Sequence, residues 1–278
     1  MNKIRCLALL LPPLLWSPSQ STFASEAHDW SGFHAGLHGG YGSGQARTTM
    51  TGSASYANPE SDEANVVAAA MANAIPTSLD TTPAGYAGGL SLGYNWRLAS
   101  LVYGLEADLW MADISKSGNA TGSSPISGFP FNSLSSNLHL QSRIDNLKML
   151  RARLGHGHHD WLLFASAGLV SGEVRSRLTA TESIQGEIGN ISSTLSGSTS
   201  AQSERLGWTA GFGLEYALSE KWSLRAEYLY YNLGRSRTRT SFTSYQTSNN
   251  NAPYASATAD LRTTWDGNLV SLGVNYRF

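Results

Sequence analysis

The chain has 278 residues, with 19 Lys and Arg against 20 Asp and Glu, for a formal charge of −1. Near-neutrality gives no electrostatic reason to expect a nucleic-acid partner, and the length permits one large all-β domain or two ordinary ones. Charged residues reach only 14%, below the roughly 25% of soluble domains, and a single cysteine leaves no pair for an internal disulfide.

Residues 1–24, MNKIRCLALLLPPLLWSPSQSTFA, read as a cleaved secretory signal: Lys3 and Arg5 lead, and an apolar core runs from Cys6 to Trp16. Small residues at the critical places allow cleavage after Ala24, or as late as Ala27. The apolar run falls short of the roughly 20 residues that span a bilayer as a helix, and Pro12 and Pro13 break it. Removal takes Cys6, Lys3 and Arg5, which leaves no cysteine and a charge of −3 (−1 less two cations). Thiol chemistry and cysteine-ligated metal are then excluded.

Residues 29–278 form the expected domain, and its chain order is a series of alternating segments. In 32–44, Phe33, Ala35, Leu37 and Tyr41 oppose Gly36, His34, His38 and Gly40. In 85–96, Tyr86, Leu90, Leu92, Tyr94 and Trp96 oppose Gly89, Ser91, Gly93 and Asn95; in 101–111, Leu101, Tyr103, Leu105 and Leu109 oppose Gly104, Glu106 and Asp108. Segment 143–155 is less clean, with Ile144, Leu150, Ala152 and Leu154 opposing Arg143, Asp145, Arg151 and Arg153, and Lys148 spoiling the apolar face. Segment 161–174 is strand-like but ambiguous in phase. Segments 206–216 and 222–233 turn Trp208, Phe212, Leu214, Trp222, Leu224, Tyr228 and Tyr230 one way, and Gly213, Glu215, Arg225 and Glu227 the other. The last, 269–278, sets Val270, Leu272, Val274, Tyr276 and Phe278 against Ser271, Gly273, Asn275 and Arg277.

These eight segments predict eight strands, several with the roughly 9–11 residues of a tilted membrane strand. Short connections (97–100, 156–160, 218–221) alternate with long ones whose outer limits are 45–84, 112–142, 175–205 and 234–268. Short–long alternation is the pattern of an up-and-down outer-membrane barrel, with tight periplasmic turns and long outer loops. The fold class expected is all-β: an eight-stranded antiparallel transmembrane barrel. Its apolar face would meet lipid, and Trp96, Trp161, Trp208, Trp222 and Tyr276 would suit the headgroup girdles. A soluble β-sandwich is the competing reading, disfavoured by the loop asymmetry and by the charges it would bury.

Within the first long connection, Asn58-Pro59-Glu60 reads as an N-cap with proline in the first turn, and the Ala-rich run stops before Pro76. A short helix near 59–74 is expected, to cover the outer mouth, rest on headgroups or fray. By parity the lumen receives Glu106, Asp108, Glu215 and Glu227 with Arg151, Arg153, Arg225 and Arg277. An eight-stranded barrel is just wide enough for side chains to fill, so the set predicts a salt-bridged plug or, alternatively, a narrow gated pore. The arginines would keep those acids ionised and no nucleophile motif accompanies them, so no catalytic residues are assigned. His34 and His38 lie roughly 13 Å apart along one strand, too far to share a metal ion. The turn histidines His156, His158 and His159 are read as solvated or as adventitious metal ligands; no metal site and no cofactor are assigned. Arg235, Arg237 and Arg239 would either bind lipid phosphates of the outer leaflet or line a solvated loop.

The segments DWSGFHAGLHGGYGSG, GYNWRLASLVYGLEADL, GWTAGFGLEYALSEKWSLRAEYLYYNLG and SLGVNYRF resemble the small outer-membrane β-barrel proteins of Gram-negative bacteria, often called the porin family and similar to opacity proteins. The resemblance frames residues 29–278; the long first connection and HGHHD depart from it. It implies an eight-stranded barrel, outer-membrane lipids and lipopolysaccharide as surroundings, and delivery by periplasmic chaperones to the barrel assembly machinery. It also implies that Phe278 and Tyr276 serve as the assembly signal. Relatives of this kind are envelope-structural proteins, surface antigens, weak pores and sometimes haemin binders. A non-enzymatic structural and surface-display protein is therefore expected, with a small-solute channel or a loop-borne receptor or adhesin as alternatives.

Overall fold

Period-two alternation commits each segment to a ladder, and an antiparallel ladder needs a neighbour on both sides to satisfy every backbone amide. In the computed structural model, which describes residues 28–56, 62–128, 133–185, 194–245 and 253–278, those needs are met by a closed ring. The expected signal, 1–24, and the cap residues Asn58-Pro59-Glu60 lie outside the described residues.

In chain order the elements are β1 (Gly32–Tyr56), α1 (Asp62–Ala74), β2 (Ser78–Thr81), β3 (Ala84–Leu98), β4 (Leu101–Ala112), β5 (Ile114–Pro125), β6 (Ser133–His158), β7 (Trp161–Gln185), β8 (Thr194–Ala217), β9 (Trp222–Tyr245) and β10 (Pro253–Arg277). Eight of them close the ring β1-β3-β4-β6-β7-β8-β9-β10, each antiparallel to its neighbour, with β10 returning to β1. The turns are tight: Leu98 pairs with Leu101 around Ala99-Ser100, and His158 with Trp161 around His159-Asp160. Ala99 and His159 take the left-handed backbone (φ 55 and 50) that two-residue hairpins favour. Most of HGHHD is thus ladder rather than turn.

The long connections are the main correction to the sequence reading. They are largely strand. β1, β6, β7, β8, β9 and β10 run 24 to 26 residues, about 80 Å along the chain, more than twice what a membrane strand needs. The wall therefore has two storeys. In the lower one, large apolar residues point outward: Leu37 is 67% exposed, Leu272 63% and Trp208 51%, with Leu224 and Val274 beside them, while Arg225 and Glu227 are buried inside. Aromatic rings pair at the turn end, among them Trp96 on Tyr103, Trp161 on Tyr216 and Trp222 on Tyr276, with centroids 5.6, 4.4 and 5.0 Å apart. In the upper storey the same inward column becomes apolar. Along β1 it passes from His34 and His38 to Ala46 and Met50, and along β7 from Ser166 to Val170, Val174 and Leu178. The outward column becomes Thr, Ser, Gln and Arg.

Of the three register shifts among the described residues, the two in the middle of the wall reset the parity of the residues around them. The β6–β7 register jumps from Ile144↔Val174 to Leu147↔Gly172, so Ile144 turns inward and Arg143 outward, opposite to the faces expected from the sequence. Lys148 does point outward, and it meets Glu204 at 3.1 Å. In β9 the extra residue Leu233 precedes Gly234, whose φ of 75 makes the bend. Segment 161–174 is settled in phase, with Leu162 and Phe164 inside and Trp161 and Leu163 outside.

Above the lower storey the ring opens. β8 and β9 pair only from Trp208↔Asn232 down to Ala217↔Ser223, and β2 does not pair with β5. The upper storey is thus two facing sheets, β2-β1-β10-β9 and β8-β7-β6-β5, over a shared apolar core. Helix α1 lies inside this mouth: Met71 and Ala74, with Ile75 just beyond the helix, pack among Met50, Leu134, Leu138, Ala257 and Leu261. Of the three fates open to the expected helix, it covers the mouth.

One inward carboxylate does not fit this core. Glu182 is 2% exposed, and neither of its oxygens has a hydrogen-bond partner among the described residues. It lies above the apolar belt, and burial pushes its pKa up from 4.5 to about 7. A raised carboxylate pKa favours folding while the group is protonated. The upper storey therefore loses stability as pH rises from about 4.5 through about 7, with no further loss above. Glu182→Gln should flatten that dependence, read as resistance to limited proteolysis between pH 5 and 8; a wild type equally resistant at both ends would contradict the assignment.

Candidate functional site

The lower storey buries its polar face, and every strand of the ring contributes to the layer that results. Arg151 (β6) is the hub. Its Nε and Nη2 donate to the two carboxylate oxygens of Asp108 at 2.8 and 3.0 Å, Nη2 also donates to Glu106 at 2.7 Å, and Nη1 donates to Ser166 at 3.0 Å and to Glu227. Arg225 (β9) forks onto both oxygens of Glu106 at 2.6 and 2.8 Å and reaches Glu227 at 2.8 Å. Two parallel donors on one carboxylate are the geometry that guanidinium, and not ammonium, supplies. Arg153 donates to Glu215 at 3.0 Å, and Glu215 also accepts from Ser223 at 2.5 Å and Asn275 at 2.8 Å.

The ring of Phe164 lies under two of these cations, 4.1 Å from the guanidinium carbon of Arg153 and 4.8 Å from that of Arg225. Glycines make the room. A Cβ at Gly213 would stand 2.4 Å from the Phe164 ring, and one at Gly273 would stand 2.0 Å from His38 Nδ1. This is why the inward column of the wall is rich in glycine as well as charge.

Seven of the eight charged residues expected in the lumen come together here, each no more than 5% exposed. Arg277 does not join them. It sits at the turn end, part-exposed, and bonds the backbone carbonyl of Glu220. Sequence parity did not reveal that the last rung of the strand already lies at the rim. The structure adds groups that the charge count did not single out: His34 Nε2 meets Glu106 at 3.1 Å, and His38 Nε2 meets Ser91 at 2.8 Å. The two histidines have different partners, and among the described residues no group of three or more His, Cys, Asp or Glu is arranged to hold a metal ion.

The layer is closed on both sides. Toward the turns, Trp30 is 4% exposed and packs with Val102, Leu162, Phe164 and Ala217. The space left beside it, lined by His34, Glu215 and Arg277 among others, is about 20 Å³, room for roughly one water. Toward the mouth, Trp110, Ile114, Leu147, Val170, Leu229, Tyr231 and Trp265 form an apolar stopper.

Residues 14–278 match the family described as outer membrane protein beta-barrel domain. The chain belongs to this family. It is similar to the 31 kDa outer-membrane immunogenic protein of Brucella melitensis, 28% identical over 78% of each chain. It is also similar to the 22 kDa outer membrane protein of Rhizobium leguminosarum, 25% identical over 70% of this chain and 67% of that one. Among solved structures, the outer membrane protein OprG of Pseudomonas aeruginosa aligns over 89% of this chain and 97% of its own, at 10% identity and a TM-score of 0.39. The protein is an outer-membrane β-barrel of the Gram-negative type, so the outward apolar belt is its lipid-facing surface and the ionic layer lies at membrane depth.

An ion network so far from water is costly to break, because removing one partner strands the charges it neutralised. Arg225→Met should lower the barrel's unfolding free energy by about 3–5 kcal/mol, measured by urea titration in detergent micelles. A loss under about 1 kcal/mol, the worth of a surface pair, would show that the layer contributes little.

Proposed function

We propose that the protein is a sealed, non-enzymatic barrel that reinforces the outer membrane and holds a rigid upper storey above it for display. The observation that carries this reading is the filling of the bore: Trp30, the ionic layer, the apolar stopper and α1 follow one another with space for about one water beside the lowest of them. The four carboxylates of the ionic layer all accept from arginine, which supports structural rather than acid–base use. Outer-membrane lipids and lipopolysaccharide are its proposed surroundings. Chaperones and the barrel assembly machinery are its proposed partners in biogenesis, with Tyr276 and Phe278, whose rings meet edge-on at 5.2 Å on the outer surface, as the recognised end.

The channel reading keeps one point in its favour, a charged layer at membrane depth, and it requires Trp30, the apolar stopper and α1 all to move. In planar bilayers the purified wild type should give no reproducible conductance steps. Opening the floor, the stopper and the mouth together, by Trp30→Ala, Trp110→Ala and Trp265→Ala with deletion of 62–74, should raise leak conductance. Steps in the wild type that vanish on charge reversal at Arg225 or Glu227 would replace the sealed barrel with a small-solute channel.

A further inference from the structure

The bulge at Leu233–Gly234 has an effect beyond bending β9: it turns Arg235, Arg237 and Arg239 to the outside of the wall. There they line up with outward residues of β10 and β1. Ladder register gives three rows: Arg47–Thr264–Arg235, then Thr49–Arg262–Arg237, then Thr51–Asp260–Arg239. Neighbouring strands are about 4.8 Å apart and alternate residues about 6.6 Å, so five guanidiniums share a patch roughly 10 by 13 Å at the backbone.

Two of the five are matched by acids. Arg47 meets Asp266 at 3.2 Å, and Arg239 meets Asp260 at 2.8 Å. The Arg239 hydrogen bond is the largest cause holding the half-buried Asp260 carboxyl below its usual range, and the charges of Arg237 and Arg262 add to it from farther away. Arg235, Arg237 and Arg262 have no carboxylate within salt-bridge distance among the described residues, and Arg237 and Arg262 stand directly opposite each other. Like charges facing across a ladder are destabilising. Thr49, Thr51, Arg237, Asp260 and Arg262 also line a shallow concavity of about 240 Å³. A repulsive pair, a net excess of three cations and a concavity with two hydroxyls together call for an anionic ligand with several oxygens.

The height of the patch selects its source. Thr264 lies six residues beyond the lipid-exposed Val270 on β10, about 15 Å farther along the membrane normal for a tilted strand. That is above the hydrocarbon and its aromatic rim, at the level of the sugars of an outer-leaflet glycolipid. We propose that Arg235, Arg237 and Arg262, flanked by Thr49 and Thr51, form a site for a phosphorylated saccharide of the surrounding lipopolysaccharide. The site deepens the lipid-partner reading above and is independent of whether the barrel conducts.

The test uses full-length barrel in zwitterionic detergent, titrated with labelled lipopolysaccharide, with the same lipopolysaccharide after dephosphorylation, and with inorganic pyrophosphate. The triple change R235Q/R237Q/R262Q should weaken lipopolysaccharide binding by about tenfold or more while heat-modifiable gel mobility stays normal. Wild type should bind the dephosphorylated form no better than the variant does. If the triple variant misfolds, Arg237→Gln alone should still weaken binding about threefold. Equal binding by wild type and variant, or undiminished binding of the dephosphorylated form, overturns the site. Pyrophosphate bound as tightly as lipopolysaccharide overturns the glycolipid as its source.

Discussion

A β-strand cannot change which of its faces looks inward without a bulge, yet the medium outside this wall changes from hydrocarbon to water about halfway along each of its long strands. Everything else in the structure answers that constraint. Where lipid lies outside, the outward column must be apolar, and the inward column gains nothing from hydrophobic burial, so it is held by directed bonds among Arg151, Arg225, Glu106 and Glu227. Where water lies outside, the same columns exchange chemistry. Ala46, Met50, Val174 and Leu178 go inward and Arg47, Arg175 and Arg177 outward, and ordinary hydrophobic burial takes over. The ionic layer and the apolar stopper are two solutions to filling one bore.

The same change of medium explains why the ring closes below and opens above. In hydrocarbon an unpaired amide has no substitute partner, so all eight strands must be laddered. Above it, water can satisfy a strand edge. The β8–β9 ladder ends at Trp208↔Asn232, and Trp208, whose ring sits 5.2 Å from that of Tyr230, belongs to the outer aromatic rim. At this seam pairing stops where the membrane stops. The other seam, between β2 and β5, is covered by α1, which packs on β1, β5, β6 and β10. The helix takes the place of the missing rungs with apolar contact.

How much of this was legible in the sequence follows from how strong each contrast is. Leu90 against Ser91, or Leu224 against Arg225, is unmistakable, so the lower strands and their facing could be read directly. In the upper storey the outward column is Thr and Ser and the inward one Ala and Gly almost as often as Leu, as in TSAQSE (199–204), and so weak an alternation looks like loop. The soluble sandwich set aside at the outset describes the upper storey's two facing sheets well, although they continue a membrane barrel. Bulges hide for a different reason: one extra residue at Asp145-Asn146 inverts a parity that the sequence alone takes as continuous, which misplaced Ile144 and Arg143. Arg277 has the right parity and the wrong height, because periodicity carries no information about where a strand meets the rim. His34 and His38 were placed on the correct face, but which of them would touch Glu106 depends on register between strands distant in sequence.

Arginine shows how completely position decides role here. Inside, Arg225 forks onto Glu106 with both groups nearly sealed from water, and the pair ties β9 to β4. Outside, Arg237 faces Arg262 with no carboxylate within salt-bridge distance among the described residues, on a surface that the bulge at Gly234 turns outward. Had that extra residue been absent, Arg235, Arg237 and Arg239 would point into the largely apolar core of the upper storey. A strand that keeps one parity throughout serves a wall; a strand that shifts its parity once, just above the lipid, can both finish the core with Leu233 and hold three cations toward the membrane's outer surface.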